Sequence, residues 1–274
     1  MTQPAGYILG QSERAARRLE VQDAHVAEQS ERLLDDLALR PTDRVVELGC
    51  GPGGLSRRIM RRLGAGGVLV GVDSSEGLLE QAGKTLNGVG PARFEAVRAD
   101  VAELGPWLAG ADVVVGRAVL HHVPMAELVL GRLRTVVRPG TRVGFIEPDF
   151  RSRLGRMSYL EATGHAEVAP LRIWATAINA LYLARRISPD VGATLAATLD
   201  AAGYRHVRAQ WGECPSDELV IENMVMFYDE VRDALESLGI ATAAQIDEQM
   251  RALQALAGKS LPAVWGVFRV TADA

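Results

Sequence analysis

Three carboxylates and a cluster of glycines within the first hundred residues have the types and the spacing to hold a nucleotide-bearing cofactor. In Val45-Val46-Glu47-Leu48-Gly49-Cys50-Gly51-Pro52-Gly53-Gly54 an apolar run passes straight into glycines. A residue without a Cβ lets the backbone come close to a ligand and accepts a positive φ. Glu47 ends the apolar run, where its carboxylate can support the loop and receive an amino-acid ammonium group. Asp73 closes Val68-Leu69-Val70-Gly71-Val72 and can accept both hydroxyls of a ribose. Asp100, in Arg98-Ala99-Asp100, is placed to receive the exocyclic amine of adenine. Gly49, Gly51 and Gly54 also satisfy the dinucleotide spacing G-x-G-x-x-G, so the loop alone admits a nicotinamide cofactor. Asp73 serves either ligand, whereas a third acid at position 100 favours a sulfonium one.

A second set of side chains could move protons. His121 and His122 follow the apolar run Val113-Val114-Val115, and Glu147 and Asp149 follow Val143-Gly144-Phe145-Ile146. A base near a hydroxyl or an acidic carbon gains about 100-fold to 10,000-fold in rate. Each histidine is read either as that base or as a residue that shapes the turn. Each of the two acids is read either as a loop support or as a substrate contact or base.

Alternating elements must position these groups. From Ser12, a candidate cap, to about Leu39, the residues Ala16, Leu19, Val26, Leu33, Leu34 and Leu37 recur near helical spacing, and Pro41 ends the run. Arg44 to Leu48 then reads as a short buried strand. Helices over 55–63, 76–86 and 125–137 alternate with strands over 68–72, 93–98, 113–115 and 142–147. Strands separated by single helices imply parallel neighbours joined by right-handed crossovers, which is a doubly wound α/β sheet. Ligands bind such sheets at the carboxyl ends of the strands, where the acids and the histidine pair fall. Beyond Phe150 the alternation gives way to helical stretches over 159–187, in which Leu171, Trp174, Ile178, Leu181 and Tyr182 share a face. A helix over 191–202, a strand over 206–211, helices over 219–256 and a strand over 263–270 follow. The expected organisation is a single domain over 1–274, with a helical cap over 1–40, a cofactor-binding core over 42–150 and helical lid insertions over 151–190 and 213–262.

Over roughly residues 42 to 150 the sequence resembles class I S-adenosylmethionine-dependent methyltransferases. The acid-and-glycine loop stands as Glu47-Leu48-Gly49-Cys50-Gly51, the strand-two acid as Asp73, the strand-three acid as Asp100, and the strand-four segment as Gly116-Arg117-Ala118-Val119-Leu120-His121-His122. The turn Arg138-Pro139-Gly140 before an apolar strand, and Tyr7-Ile8-Leu9-Gly10 followed by Arg18-Leu19-Glu20-Val21-Gln22, are similar to small-molecule, natural-product members. The resemblance implies a Rossmann-like, mostly parallel sheet of seven strands, the last of them antiparallel, with S-adenosylmethionine as cofactor. The residues implied to bind it are Glu47, Gly49, Cys50, Gly51, Asp73, Ser74, Asp100, Val101 and Arg117. Arg117 stands where many members carry a small or neutral residue, and it is read either as a contact for the methionine carboxylate or as a brace for Glu47. The implied reaction moves a methyl group to oxygen, nitrogen or carbon of a small acceptor, with His122, His121 and Glu147 as candidate catalytic residues. A non-methylating cyclase or binding protein on the same fold is the alternative, and a nicotinamide oxidoreductase is the third reading.

Composition narrows the partners. With 48 % hydrophobic and 23 % charged residues the chain can bury a large core. A net charge of −4 provides no excess of cations for a phosphate backbone, so no nucleic acid is expected. The Asn-Pro-Pro-aromatic signature of nucleic-acid amino methyltransferases is absent. No metal is expected, since Glu147, Asp149 and the histidines do not match the spacing of a catechol-type metal site. Two cysteines, no leader and no membrane-length apolar run point to the cytoplasm. The expected partners are a small-molecule acceptor and, at most, a second copy of the chain. Tyr7, Tyr159, Trp174, Tyr182, Phe227 and Tyr228 are candidates to wall an acceptor pocket. His25 is read either as pointing inward or, by preference, as a solvated helix histidine, His165 and His206 as structural, and Glu13, Arg14, Arg17, Arg18 and Glu20 as a solvated face of mixed charge.

Overall fold

The computed structural model describes residues 13–274, so Ser12 as a cap and the Tyr7-Ile8-Leu9-Gly10 segment lie outside the described residues. Five strands rich in β-branched residues, β1 (Arg44–Leu48), β2 (Val68–Asp73), β3 (Arg93–Arg98), β4 (Val113–Arg117) and β5 (Arg142–Pro148), pair in parallel. The last two, β6 (Arg205–Cys214) and β7 (Trp265–Asp273), close the sheet in the order β3-β2-β1-β4-β5-β7-β6, with β7 antiparallel to both neighbours. The chain winds outward from β1 to β3 and then returns to β4, so the loops after β1 and β4 diverge. A crevice opens between them at the carboxyl edge of the sheet.

Each face of the sheet is covered by a separate core. The helices α2 (Ala27–Asp36) and α3 (Gly54–Met60) bury Leu33, Leu34, Leu55 and Ile59 on one face. On the other, α5 (Ala126–Val136) and α8 (Val191–Ala201) bury Leu130, Leu133, Leu195 and Leu199. The first core continues over the carboxyl edge into α6 (Phe150–Ala162), α7 (Ala169–Ala184) and α9 (Glu218–Glu230) through Met157, Trp174, Ile178, Tyr182 and Met224. Beyond α9 come α10 (Arg232–Ser237) and α11 (Ala243–Gln254), and α4 (Glu76–Leu86) lies between β2 and β3 in the chain.

Two expectations about elements are corrected. The first helical run is two helices, α1 (Glu13–His25) and α2, separated at Val26. There the Ser30 hydroxyl donates back to the Val26 carbonyl at 3.0 Å, a bond of the kind that bends helices. The helix expected from position 159 begins at Phe150, because Asp149 caps it: its Oδ1 accepts the backbone N–H of Arg151 and of Ser152, both at 3.1 Å.

Candidate active site

The glycine loop is shaped from beneath. Gly49 has φ +64°, and a Cβ there would come within 2.6 Å of Val119 Cγ2, so only glycine fits between β1 and the turn after β4. Asp73 accepts the Gly51 N–H at 2.9 Å through Oδ2 and the Ser75 N–H at 2.9 Å through Oδ1, which ties the ends of β1 and β2 together. Burial raises its pKa against these bonds. Glu47 is 2 % exposed, accepts the Ser56 hydroxyl at 2.5 Å, and is pushed up to about 8 by burial despite the Ser56 bond and nearby Arg117. The Cys50 thiol is buried as well and pushed well above its ordinary value. Asp100 is exposed, and its Oδ1 accepts the Ala102 N–H at 2.9 Å.

Arg117 points toward α1. Its Nη1 donates to Asp23 Oδ1 at 2.6 Å and to the Ser30 hydroxyl at 2.9 Å. Asp23 also receives Arg58 at 3.1 Å. Burial would raise the Asp23 pKa, but Arg117 and Arg58 outweigh it and hold the carboxyl below its ordinary value. The Asp23 carboxylate packs on the first residue of α3: a Cβ on Gly54 would lie 2.8 Å from Asp23 Cγ. A dinucleotide's pyrophosphate would need that helix start and free loop N–H groups. Here one position is covered by a carboxylate and the Gly51 N–H is taken by another. Acids at three adjacent strand ends suit an adenosyl group with a cationic amino-acid end instead.

One cleft brings together Glu47, Gly49, Cys50, Gly51, Asp73, Ser74, Asp100, Val101 and Arg117 with His121 and His122. Glu147 stands behind the turn and does not line this cleft. It is fully buried, and its Oε1 accepts the N–H of Val119 at 2.9 Å and of Leu120 at 2.8 Å. Its Oε2 takes the His121 N–H at 3.3 Å and lies 2.7 Å from His121 Nδ1. The His121 ring packs against His122, with centroids 4.0 Å apart, and against Tyr182 at 5.9 Å. His122 is half-buried in the cleft wall, and burial, His121 and Arg18 hold its imidazole well below the ordinary histidine pKa.

The far half of the cleft is walled by Phe150, Trp174, Tyr182, Phe227 and Trp265. Tyr228 is buried without lining it, and Tyr159 is 69 % exposed, so neither walls the pocket; Tyr7 lies outside the described residues. Two cleft residues, Arg18 and Arg153, were not anticipated, and the inward alternative for His25 is the one observed. Arg18 is 2 % exposed, its Nε donating to Glu230 at 2.6 Å, and thus does not belong to a solvated face. His25 is 8 % exposed, lies edge-on to Trp265, and is pushed down to about 4 by burial. Arg153 is 3 % exposed and stacks on Trp265. Arg18, Gln22 and His25 fall at i, i+4 and i+7, a one-face spacing that the charge count of the helix concealed. His165 and His206 pair at the surface with Glu167 and Asp273. Among the described residues no three metal-ligating side chains gather, and no helix is long and apolar enough to cross a membrane.

Residues 45–140 match the sequence family described as "Methyltransferase domain". A trans-aconitate 2-methyltransferase of Rhizobium leguminosarum bv. trifolii is 35 % identical over 159 residues, 57 % of this chain and 56 % of the relative. The chain spans about half the length of the curated relatives it matches. Among solved structures, geranyl diphosphate C-methyltransferase from Streptomyces coelicolor A3(2), in complex with S-adenosyl-L-homocysteine, superposes with a TM-score of 0.51 at 14 % identity over 90 % of this chain and 78 % of that one. The [4+2]-cyclase SpnF superposes at 0.51 with 16 % identity over 89 % and 80 %. The core over 45–140 thus matches a methyltransferase domain in sequence, on a seven-stranded sheet of the Rossmann-like methyltransferase fold whose antiparallel β7 sets it apart from the 3-2-1-4-5-6 dinucleotide folds.

Proposed function

We propose that the protein methylates oxygen, nitrogen or carbon of a small, secondary-metabolite-type acceptor. The observation that carries this reading is the single cleft in which the strand-end acids and an aromatic chamber meet at His122. When bound, S-adenosylmethionine supplies an electrophilic methyl group for in-line displacement. Glu47 would receive its ammonium group, Asp73 the ribose and Asp100 the adenine amine, with Gly49, Cys50, Gly51, Ser74 and Val101 forming the bed. Arg117 acts through Asp23, fixing α1 over the loop, rather than as a lone carboxylate contact. The described part of the cap, over 13–40, and the helical insertions over 151–190 and 213–262 serve as lids that exclude water and align the acceptor.

His122 is the proposed base, because a neutral imidazole in the cleft wall can accept the acceptor's proton. His121 and Glu147 are positioning residues. The Glu147 carboxylate gathers three turn N–H groups and the His121 ring, which in turn supports His122. The trans-aconitate relative methylates a polycarboxylate, which supports a small acidic acceptor. Two free, buried cysteines fit a cytoplasmic enzyme.

Calorimetric titration with S-adenosylmethionine and its demethylated product, followed by labelled-methyl transfer to candidate acceptors, tests the reading. Failure to bind either sulfur nucleotide would sink it. Likeness to a cyclase keeps a second reading: tight binding of the demethylated product with no methyl transfer to any nucleophile would favour it.

A further inference from the structure

The chamber holds a buried cation with idle hydrogen-bond donors. Arg153, four residues into α6, places Nη2 3.4 Å from the Gly266 carbonyl, while its Nε and Nη1 have no acceptor among the described residues. Its Cζ lies 3.5 Å from the Trp265 ring centroid and 4.8 Å from that of Phe150. Stacked rings take up the flat surface of the guanidinium, whereas its N–H bonds lie in the plane and emerge at the edge. The nearest acid along the helix is Asp149, whose Oδ1 caps α6 and whose Oδ2 makes no hydrogen bond. Among the described residues no carboxylate comes within ion-pairing distance of Arg153. The other cleft arginine differs: Arg18 is neutralised by Glu230 at 2.6 Å.

A buried guanidinium with unmet N–H groups is costly to keep. Burial already pushes its pKa down to about 9, and an arriving anion would reverse that penalty. An arginine fork fits a carboxylate in its own plane with two parallel hydrogen bonds. Only one positive charge is left over, which matches a carboxylate rather than a doubly charged phosphate. We propose that the acceptor is a small molecule bearing a carboxylate, paired edge-on with Arg153, whose aromatic or apolar body lies among Trp174, Trp265 and Phe227. The proposal rests on the cleft being a cofactor-and-acceptor chamber and names the acceptor's chemical class.

The test titrates the whole protein, saturated with S-adenosylhomocysteine, with 3-(indol-3-yl)propanoate, its neutral amide and 2-phenylethyl phosphate. The carboxylate is expected to bind about 10-fold to 100-fold more tightly than the amide, the range of a charge-assisted pair. Arg153→Met should abolish that preference, and Arg153→Lys, which keeps the charge without the fork, should restore part of it. Cofactor-free Arg153→Met should melt no lower than the natural protein, because replacing an under-bonded buried charge with an apolar chain of similar length is neutral or stabilising. Equal binding of amide and carboxylate, a preference for the phosphate, binding of none of the three, or a preference that survives Arg153→Met would each overturn the proposal. A fall in melting temperature with the preference intact would assign Arg153 to structural pairing with Asp149 instead. Titration of S-adenosylhomocysteine into the same samples keeps the two ideas apart. If it binds while the carboxylate preference fails, only the acceptor class falls; if it fails to bind, the methyl-transfer reading falls and takes the acceptor class with it.

Discussion

At Glu47, cofactor binding is expected to be coupled to protons. Its carboxyl is pushed up to about 8 by burial from an ordinary 4.5, so between those values the folded, cofactor-free protein holds more protons than the unfolded chain. Stability must therefore fall as pH rises from about 5 to 8, and Glu47→Gln should flatten that slope in denaturant titrations at several pH values. A cation against the carboxylate restores its charge. Binding of S-adenosylmethionine at pH 7 should accordingly release up to about one proton, read by calorimetry in buffers of different ionisation enthalpy, and Glu47→Gln should release none. At His122 the expected loss is in turnover: His122→Ala should lower kcat by about 100-fold to 10,000-fold while the demethylated cofactor still binds. Retained turnover at saturating acceptor would leave alignment alone as the source of catalysis. The positions of Glu47, Asp73 and Asp100 were legible in the sequence because each falls at or just beyond the end of a strand, and a strand end has one place in a doubly wound sheet. Arg18 and Arg153 were not, and His25 was legible only as one of two readings, because their burial comes from helices that fold over the edge, and no local pattern records such a partner.

Among the elements, the junction of α1 with the sheet is held by charge. Asp23→Ala would leave Arg117 and Arg58 without their shared acceptor. The expected cost is about 3 kcal/mol, read as a melting temperature lower by roughly 5–10 °C, together with weaker cofactor binding as α1 loosens over the loop. Gly49→Ala meets both a positive φ and the Val119 methyl, and should destabilise the fold by about 2 kcal/mol or force β1 away from the turn that carries the histidines. Elements with strong local signals stood where their patterns placed them, as α4 and β3 show. The break between α1 and α2 was hidden, because Ser30 bonds back along a helix whose apolar spacing continues unbroken. The start of α6 is hidden because its cap, Asp149, reads in the sequence equally as a loop support and as a substrate contact or base.

At the scale of the whole molecule, ligand and fold should stabilise each other. At a hundredfold excess over its dissociation constant, S-adenosylhomocysteine should add about 2.7 kcal/mol, or roughly 5–10 °C in melting temperature, and Asp73→Ala should erase most of the gain by weakening affinity. The chamber is assembled from distant stretches of chain: α1 packs on α9, and Trp265 arrives on β7, the last strand. A ribosome releases the glycine loop early and Trp265 roughly 10–40 s later, at about 5–20 residues per second. During translation the growing chain thus contains the strand-end acids before it contains the full aromatic wall of the cleft. Interrupted synthesis would leave fragments that have the glycine loop but lack Trp265, and the aromatic wall of the cleft forms only in chains whose β7 has been threaded between β5 and β6.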